Sequence, residues 1–476
     1  MKKLICGFFL FFLFLTVLKA QNIENNLEVM ANKFPQERIY LHYDKSSYAP
    51  GETVWFKTYI MQAIYPSDDS KTVYIDWSDQ NGKLLLHTLS PLVDGTAFGQ
   101  FDIPENYSGK YVHVKAYTKW MLNFDSSFLY DKDIRILSDS IISPAHAIVI
   151  KPELNFFPEG GDAIAGVTNK IAFIANDQFG RPVKIKGEIK SSKGEVAGEL
   201  SVIHDGMGFF FLRPENGATF TAYWKDEKGA SHTTPLPEIK NNGVSLQVTI
   251  AGSKRNFLVT ASPDSKSIQS VHIIGTMYQQ PVFNIVKDLK DGIAEGIIPT
   301  ESLPSGILTI TVFDAQWKPL AERITYVNNE EYLFQPQMDV QHWGLNKRAK
   351  NEIEITVPDS LNANLSVSVT DIGIDHDTSD NIISHLLLTG ELKGKVNDPA
   401  YYFLNNDDST MQQLDLVMLT HGWRRFDWQK ISAGEFPVIK YPRDTSYMTL
   451  SGKVYGATAS QLGAAGAVIL MVNQKN

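Results

Sequence analysis

Beyond Cys6 this sequence of 476 residues has no cysteine. A disulfide framework, a thiolate metal centre and a cysteine nucleophile are therefore excluded from everything downstream of that residue. The motifs HExxH, GxSxG and GxxxxGK[ST] are all missing, and with them the usual outlines of a zinc protease, a serine hydrolase and a phosphate-binding loop. Eleven histidines are scattered rather than grouped. Lysine and arginine form no run or basic face, and the net charge is -9. That balance excludes the electrostatic footprint of a nucleic-acid binder. No cofactor is expected, and no catalytic or metal residue is assigned.

What the sequence does contain begins with an export signal. Met1-Lys2-Lys3 is a basic start, Leu4 to Leu18 is almost wholly apolar, and Ala20 offers a small residue for cleavage. Residues 1–20 read as a signal peptide, which predicts an exported protein of the periplasm, outer membrane or cell surface. Ile23, Leu27 and Met30 then recur at helical spacing, giving a helical lead-in over 21–37.

From Arg38 onward the period changes to two. Ile39, Leu41 and Tyr43 alternate with Tyr40, His42 and Asp44; Ala49-Pro50-Gly51 turns the chain; and Val54, Phe56, Thr58 and Ile60 resume the alternation. This predicts a β-hairpin. Turn signals such as Asn81-Gly82 and Asp94-Gly95 then separate further alternating runs. The spacing divides the chain into β-sandwich units over 38–140, 141–240, 241–330 and 331–445, with a new β unit starting at 446–476. Within the fourth unit, strands are expected at Glu352 to Val357 and Asn364 to Asp371. Helical spacing is read at Asn381 to Leu392 and Met411 to Phe426. The predicted fold class is all-β: tandem immunoglobulin-like sandwiches with a short helical segment near 380–428, strung into a rod or arch.

Several stretches carry a family likeness. Asp44-Lys45 followed by Tyr48-Ala49-Pro50-Gly51-Glu52-Thr53-Val54-Trp55-Phe56 resembles the signature of the second macroglobulin-like (MG2) domain of α2-macroglobulins. Phe157-Pro158-Glu159-Gly160-Gly161, Leu320-Ala321-Glu322-Arg323 and Leu365 to Asp371 resemble motifs of later domains. Thr420-His421-Gly422-Trp423-Arg424-Arg425-Phe426 is similar to a helical segment of the macroglobulin-type exported proteins of Bacteroidota. Thr449 to Gly456 resembles the start of a carboxypeptidase-regulatory-like domain, which in some relatives precedes a TonB-receptor plug. The resemblance implies macroglobulin-like sandwiches, a non-enzymatic scaffold at the cell envelope, and a protein partner there, an outer-membrane TonB-dependent transporter being one. The alternative it implies is an endopeptidase inhibitor. The thioester of protease-trapping relatives needs a cysteine that this stretch lacks.

Tyr48, Trp55, Trp423, Arg424 and Arg425 are the candidate interaction residues. Tyr40, Tyr48, Trp55 and Tyr59 offer an aromatic stripe, and His421 to Arg425 an aromatic anchor with two bidentate anion binders. Packing inside the fold is the competing account of each. Asp371, Asp375, His376, Asp377 and Asp380 could gather around a cation, but a loop capping a helix at Asn381 accounts for them better.

Overall fold

The computed structural model describes residues 23–137, 149–358, 363–371, 379–422, 424, 427–444, 458 and 460. The expected signal peptide and the expected 446–476 unit (save 458 and 460) lie outside that range, as do Trp423, Arg425 and residues 372–378. The chain is a series of β-sandwiches with few helices.

Strands Glu37–Tyr43 (β1), Ser47–Tyr48 (β2), Thr53–Gln62 (β3), Tyr65–Pro66 (β4), Thr72–Asp79 (β5), Leu84–Pro91 (β6), Thr96–Asp102 (β7), Tyr111–Tyr117 (β8) and Tyr130–Ile136 (β9) build the first sandwich. One sheet is β1-β3, with β4 and β7 sharing the far edge of β3; the other runs β2-β9-β8-β5-β6. The expected hairpin is β1 against β3, in register from Glu37 opposite Gln62 to Tyr43 opposite Phe56. Its connection is longer than a turn, because β2 crosses over to pair in parallel with β9 of the opposite sheet. Val54, Phe56 and Ile60 point inward as their alternation requires. Trp77 fills the centre, stacked on Phe101 at 4.5 Å and tilted against Phe56 at 5.6 Å. Its indole N–H donates to Thr88 Oγ1 at 3.0 Å, so the ring is buried without an orphaned donor.

The second sandwich comprises Glu153–Pro158 (β10), Ala163–Ile164 (β11), Asn169–Asn176 (β12), Ile185–Ser191 (β13), Val196–Ser201 (β14), Met207–Leu212 (β15), Phe220–Asp226 (β16), Ser231–Pro235 (β17) and Ile239–Lys240 (β18). Sheet β10-β12-β15 faces sheet β14-β13-β16-β17 across Phe173, Phe210, Leu212 and Trp224. The third comprises Val244–Ala251 (β19), Lys254–Ala261 (β20), Ser270–Met277 (β21), Gln280–Asp288 (β22), Ile293–Pro299 (β23), Gly306–Asp314 (β24) and Pro319–Val327 (β25). Here β19-β20-β23 faces β22-β21-β24-β25. Between 331 and 445 the described residues add one two-stranded sheet, Gln337–His342 (β26) with Glu352–Thr356 (β27). The expected strand at Asn364 to Asp371 is a correction. Among the described residues, 363–371 pair with no sheet; Lys57 and Tyr59 on the outer face of the first sandwich instead hold the Asn364 and Ser366 side chains and the Leu365 carbonyl.

Strands β12 and β25 depart from alternation and are buried on both faces. The helices explain this. Residues 23–33 (α1), Ile382–Leu387 (α2), Asp408–Thr420 (α3) and Trp428–Ser432 (α4) pack on the sandwiches, and α3 fills the seam between the second and third. Leu414, Leu416, Val417, Met418 and Leu419 are all buried, so the C-terminal half of α3 is enclosed, while its start is polar and exposed. It lies between Ala172 and Met207 of the second sandwich and Ile307, Ile324 and Tyr326 of the third. The lead-in helix α1 packs not on the first sandwich, into which its chain runs, but on Ile274, Phe313 and Trp317 of the third, beside α4. Helix α3 thus joins the second and third sandwiches through a shared apolar core. Replacing Trp77 with alanine is expected to destabilise the first sandwich by about 3–5 kcal/mol; urea unfolding followed by circular dichroism measures this.

Candidate functional site

The hairpin signature resolves into a turn lock. Asp44 Oδ1 accepts from the Tyr48 hydroxyl at 2.6 Å and from the Trp55 backbone N–H at 2.9 Å. Glu52 Oε2 accepts from the Ala49 N–H at 2.7 Å and lies 2.8 Å from Lys45 Nζ. Gly51 adopts φ +83°, a conformation that a side chain would strain. Tyr48 is fully buried, so its surfaces are used within the fold and not by a partner. Trp55 points the other way and is 54 % exposed. The aromatic stripe is therefore divided. Tyr40 and Tyr59 stand opposite each other on the outer face of β1 and β3, Tyr48 is in the core, and Trp55 stands apart.

That outer face, roofed by residues 364–370, encloses a cleft of about 590 Å³ lined by Tyr40, His42, Tyr59, Lys132 and Asp380. Ser366 Oγ is 2.7 Å from His42 Nδ1 and accepts from the Tyr59 hydroxyl at 2.8 Å. Burial lowers the His42 pKa, partly opposed by Asp44. Asp380 accepts from Ser384 Oγ at 2.6 Å, and Asn381 makes a capping box with Ser384 at the start of α2. Burial pushes the Asp380 pKa up, but hydrogen bonds from His385 and Ser384 and the charges of His385 and Lys132 hold it below the ordinary carboxylate value.

Three motifs far apart in sequence meet at one joint. The turn after β10 inserts Glu159 from the second sandwich against the third, where Oε1 accepts from the Val248 N–H at 3.0 Å. Arg323 on β25 donates from Nε to the same oxygen at 2.9 Å and from its terminal nitrogen to Asp415 Oδ1 of α3 at 2.7 Å. Lys170 Nζ stands 3.7 Å from the other Asp415 oxygen. Burial opposes the Arg323 charge, but Asp415 and Glu159 outweigh it and raise its pKa. Gly160, at φ +89°, gives its carbonyl to the Glu322 N–H at 3.0 Å. A Cβ there would come within 3.1 Å of the Leu246 backbone, so only glycine allows this approach.

Glu322 extends the joint to the arginine-tryptophan motif. Its carboxylate accepts from Arg424 Nε at 2.7 Å, from the Trp428 indole N–H at 2.5 Å and from Thr311 Oγ1 at 2.9 Å. Arg424 is 64 % exposed beyond this bond. His421, buried at the end of α3, has its pKa lowered by burial and sits within hydrogen-bond distance of the Val417 and Lys395 carbonyls. Sequence reasoning named each of these motifs but had no signal that they touch.

Beside the joint lies a cleft of about 610 Å³ lined by Lys170, Phe209, Arg255, Asn329, Gln412 and Asp415. Arg255 is buried there. Its guanidinium donates to Thr325 Oγ1 at 3.0 Å, to the Lys254 carbonyl at 2.9 Å and to the Tyr326 carbonyl, which ties β20 to β25.

No protein-family model matches the chain, and no curated protein matches it. Among solved structures, a methylamine-reacted Salmonella α2-macroglobulin aligns at 10% identity over 68% of this chain and 25% of its own, with TM-score 0.19. Elastase-activated Escherichia coli α2-macroglobulin aligns at 12% over 64% of this chain and 32% of its own, with TM-score 0.22. A tetra-tandem repeat from the extending region of a large adhesion protein aligns at 12% over 62% and 75%, with TM-score 0.16. The chain thus spans no more than 32% of these macroglobulins' length. At such scores the likenesses carry no functional argument.

Arg323→Met is expected to cost about 3–5 kcal/mol, since Glu159 and Asp415 are left buried without their cation. Adding Glu159→Gln and Asp415→Asn recovers much of the loss, and thermal unfolding of the series measures both. A second expectation concerns pH. Lys393 Nζ, 2.5 Å from Asp125, with the Ser127 N–H, holds the Asp125 pKa down to about 2. A depressed carboxylate stabilises the fold above its unfolded pKa, near 3.9, and loses that effect as pH falls through the folded value. Melting temperatures of the protein and of Asp125→Asn should therefore converge between about pH 4 and pH 2.

Proposed function

We propose that the protein is a non-enzymatic, exported binding scaffold of the cell envelope. Its sandwiches, held in fixed relation, offer faces and edges to a protein partner. An outer-membrane transport system of the TonB-dependent kind is the partner proposed. The N-terminal export pattern and the succession of sandwiches support this reading.

One observation carries it: the most distinctive sequence motifs converge on a joint between sandwiches. Glu159, the Glu322-Arg323 pair and Arg424 come from three different motifs, and each is bonded to a neighbouring element. Charged groups fully matched by fixed partners set geometry; catalytic groups need access to a substrate and a poised protonation state. A scaffold uses fixed geometry to keep distant surfaces in register.

Limited proteolysis with a panel of proteases tests the reading. A scaffold is cut slowly and at scattered loops, with no change in hydrodynamic radius. A single hypersensitive site followed by compaction would contradict it and support an α2-macroglobulin-like inhibitor.

A further inference from the structure

Arg255, on β20, is 2 % exposed. A guanidinium has five N–H donors, and four of these find acceptors. Nε donates to Thr325 Oγ1 at 3.0 Å, Nη1 to the Gly252 and Lys254 carbonyls at 3.2 and 2.9 Å, and Nη2 to the Tyr326 carbonyl. Every acceptor is a neutral oxygen. Among the described residues no carboxylate bonds to Arg255, and one N–H on Nη2 has no acceptor. The tie between β20 and β25 accounts for these bonds but not for the charge. Burial lowers the Arg255 pKa, an effect that the Asp415 charge opposes and the Arg323 charge reinforces.

The neighbouring acids are already engaged. Glu159 and Asp415 both bond to Arg323. The second Asp415 oxygen faces Lys170 Nζ at 3.7 Å, beyond hydrogen-bond reach. The joint thus sets three cations, Arg255, Arg323 and Lys170, against two buried acids. A desolvated guanidinium without a counter-charge is costly. Both Arg255 and Lys170 line the cleft of about 610 Å³ beside the joint, where the second sandwich, the third sandwich and α3 meet. That size and that position between units are those of small-ligand sites. The other acid of the lining, Asp408, is exposed at the start of α3 and, among the described residues, bonds to neither cation.

We infer that this cleft binds a carboxylate-bearing ligand, whose carboxylate supplies the counter-charge that Arg255 lacks. The open Nη2 N–H of Arg255 and the ammonium of Lys170 are its donors. A monoanion balances the one excess positive charge, whereas a phosphate dianion would create a new excess beside Asp408 and Asp415. Gln412, exposed on α3, has a side-chain amide that makes no hydrogen bond among the described residues and is free for the rest of the ligand. Phe209 adds apolar surface on the opposite wall. An acidic sugar and the C-terminus of a peptide both carry the required group. The inference goes beyond the scaffold reading and does not depend on it.

Isothermal titration calorimetry on the full chain tests the inference. The first probe is glucuronate, with glucose as its uncharged counterpart. The second is an N-acetylated dipeptide with a free C-terminal carboxylate, with its C-terminal amide as counterpart. At least one carboxylate should bind at millimolar concentration, about tenfold or more tighter than its counterpart, the contrast expected of a charge-assisted bond. Glucuronate alone would assign the site to acidic sugars, the peptide alone to chain ends, and both to carboxylates in general. Arg255→Gln should abolish binding, but it also loosens the tie between β20 and β25. Gln412→Glu avoids that problem: it sets a like charge in the lining and should weaken binding about tenfold with the thermal unfolding profile unchanged. Lys193→Glu, in a turn of the second sandwich, should leave binding as it is. No binding of either carboxylate, equal affinity for a carboxylate and its counterpart, or binding indifferent to Gln412→Glu would each overturn the inference, whatever proteolysis shows of the scaffold.

Discussion

A guanidinium taken out of water is stable only where carboxylates meet it in good geometry, and the placement of Arg323 follows from that demand. Its two acidic partners come from elsewhere: Glu159 lies 164 positions earlier on the second sandwich, and Asp415 lies 92 later on α3. Each component alone would be a buried unmatched charge, several kilocalories per mole uphill. Together they are satisfied only when the second sandwich, the third sandwich and α3 are all in place. Such a group adds less to net stability than an apolar core of the same volume. Its value lies in rejecting other arrangements of the same pieces.

A comparable arrangement recurs where the first sandwich meets the rest. Arg38, buried on β1, stands 3.2 Å from Glu391 and donates to the Leu386 and Ala63 carbonyls. Its guanidinium lies 4.4 Å over the ring of Tyr278, on the third sandwich. Both joints draw on the helical segment, which contributes Leu386 and Glu391 to one and Asp415 and Arg424 to the other. The helices thus do more than cover apolar faces. They supply the polar groups that fix how those faces meet.

How much of this is legible in the sequence depends on how local the information is. The hairpin at Arg38 to Gln62 is written in period-2 alternation, and its two strands pair as read, although β2 crosses to the opposite sheet where a turn was expected. Helix α3 is also legible, though it starts at the Asp407 cap, before Met411, and stops at His421, before Phe426. The joint is not legible, because Glu159, Arg323 and Asp415 each look like an ordinary charged residue beside a strand or on a helix. Only chain topology brings them together. Likewise Tyr48 looks like a surface aromatic until β2 carries it into the core.

If matched buried charges weld the second and third sandwiches and α3 into one body, those parts must unfold together. Differential scanning calorimetry of the full chain tests this directly. The account predicts one shared transition for them, whose van't Hoff enthalpy equals the calorimetric enthalpy for their combined size. Two independent transitions, each sized for a single sandwich, would contradict it.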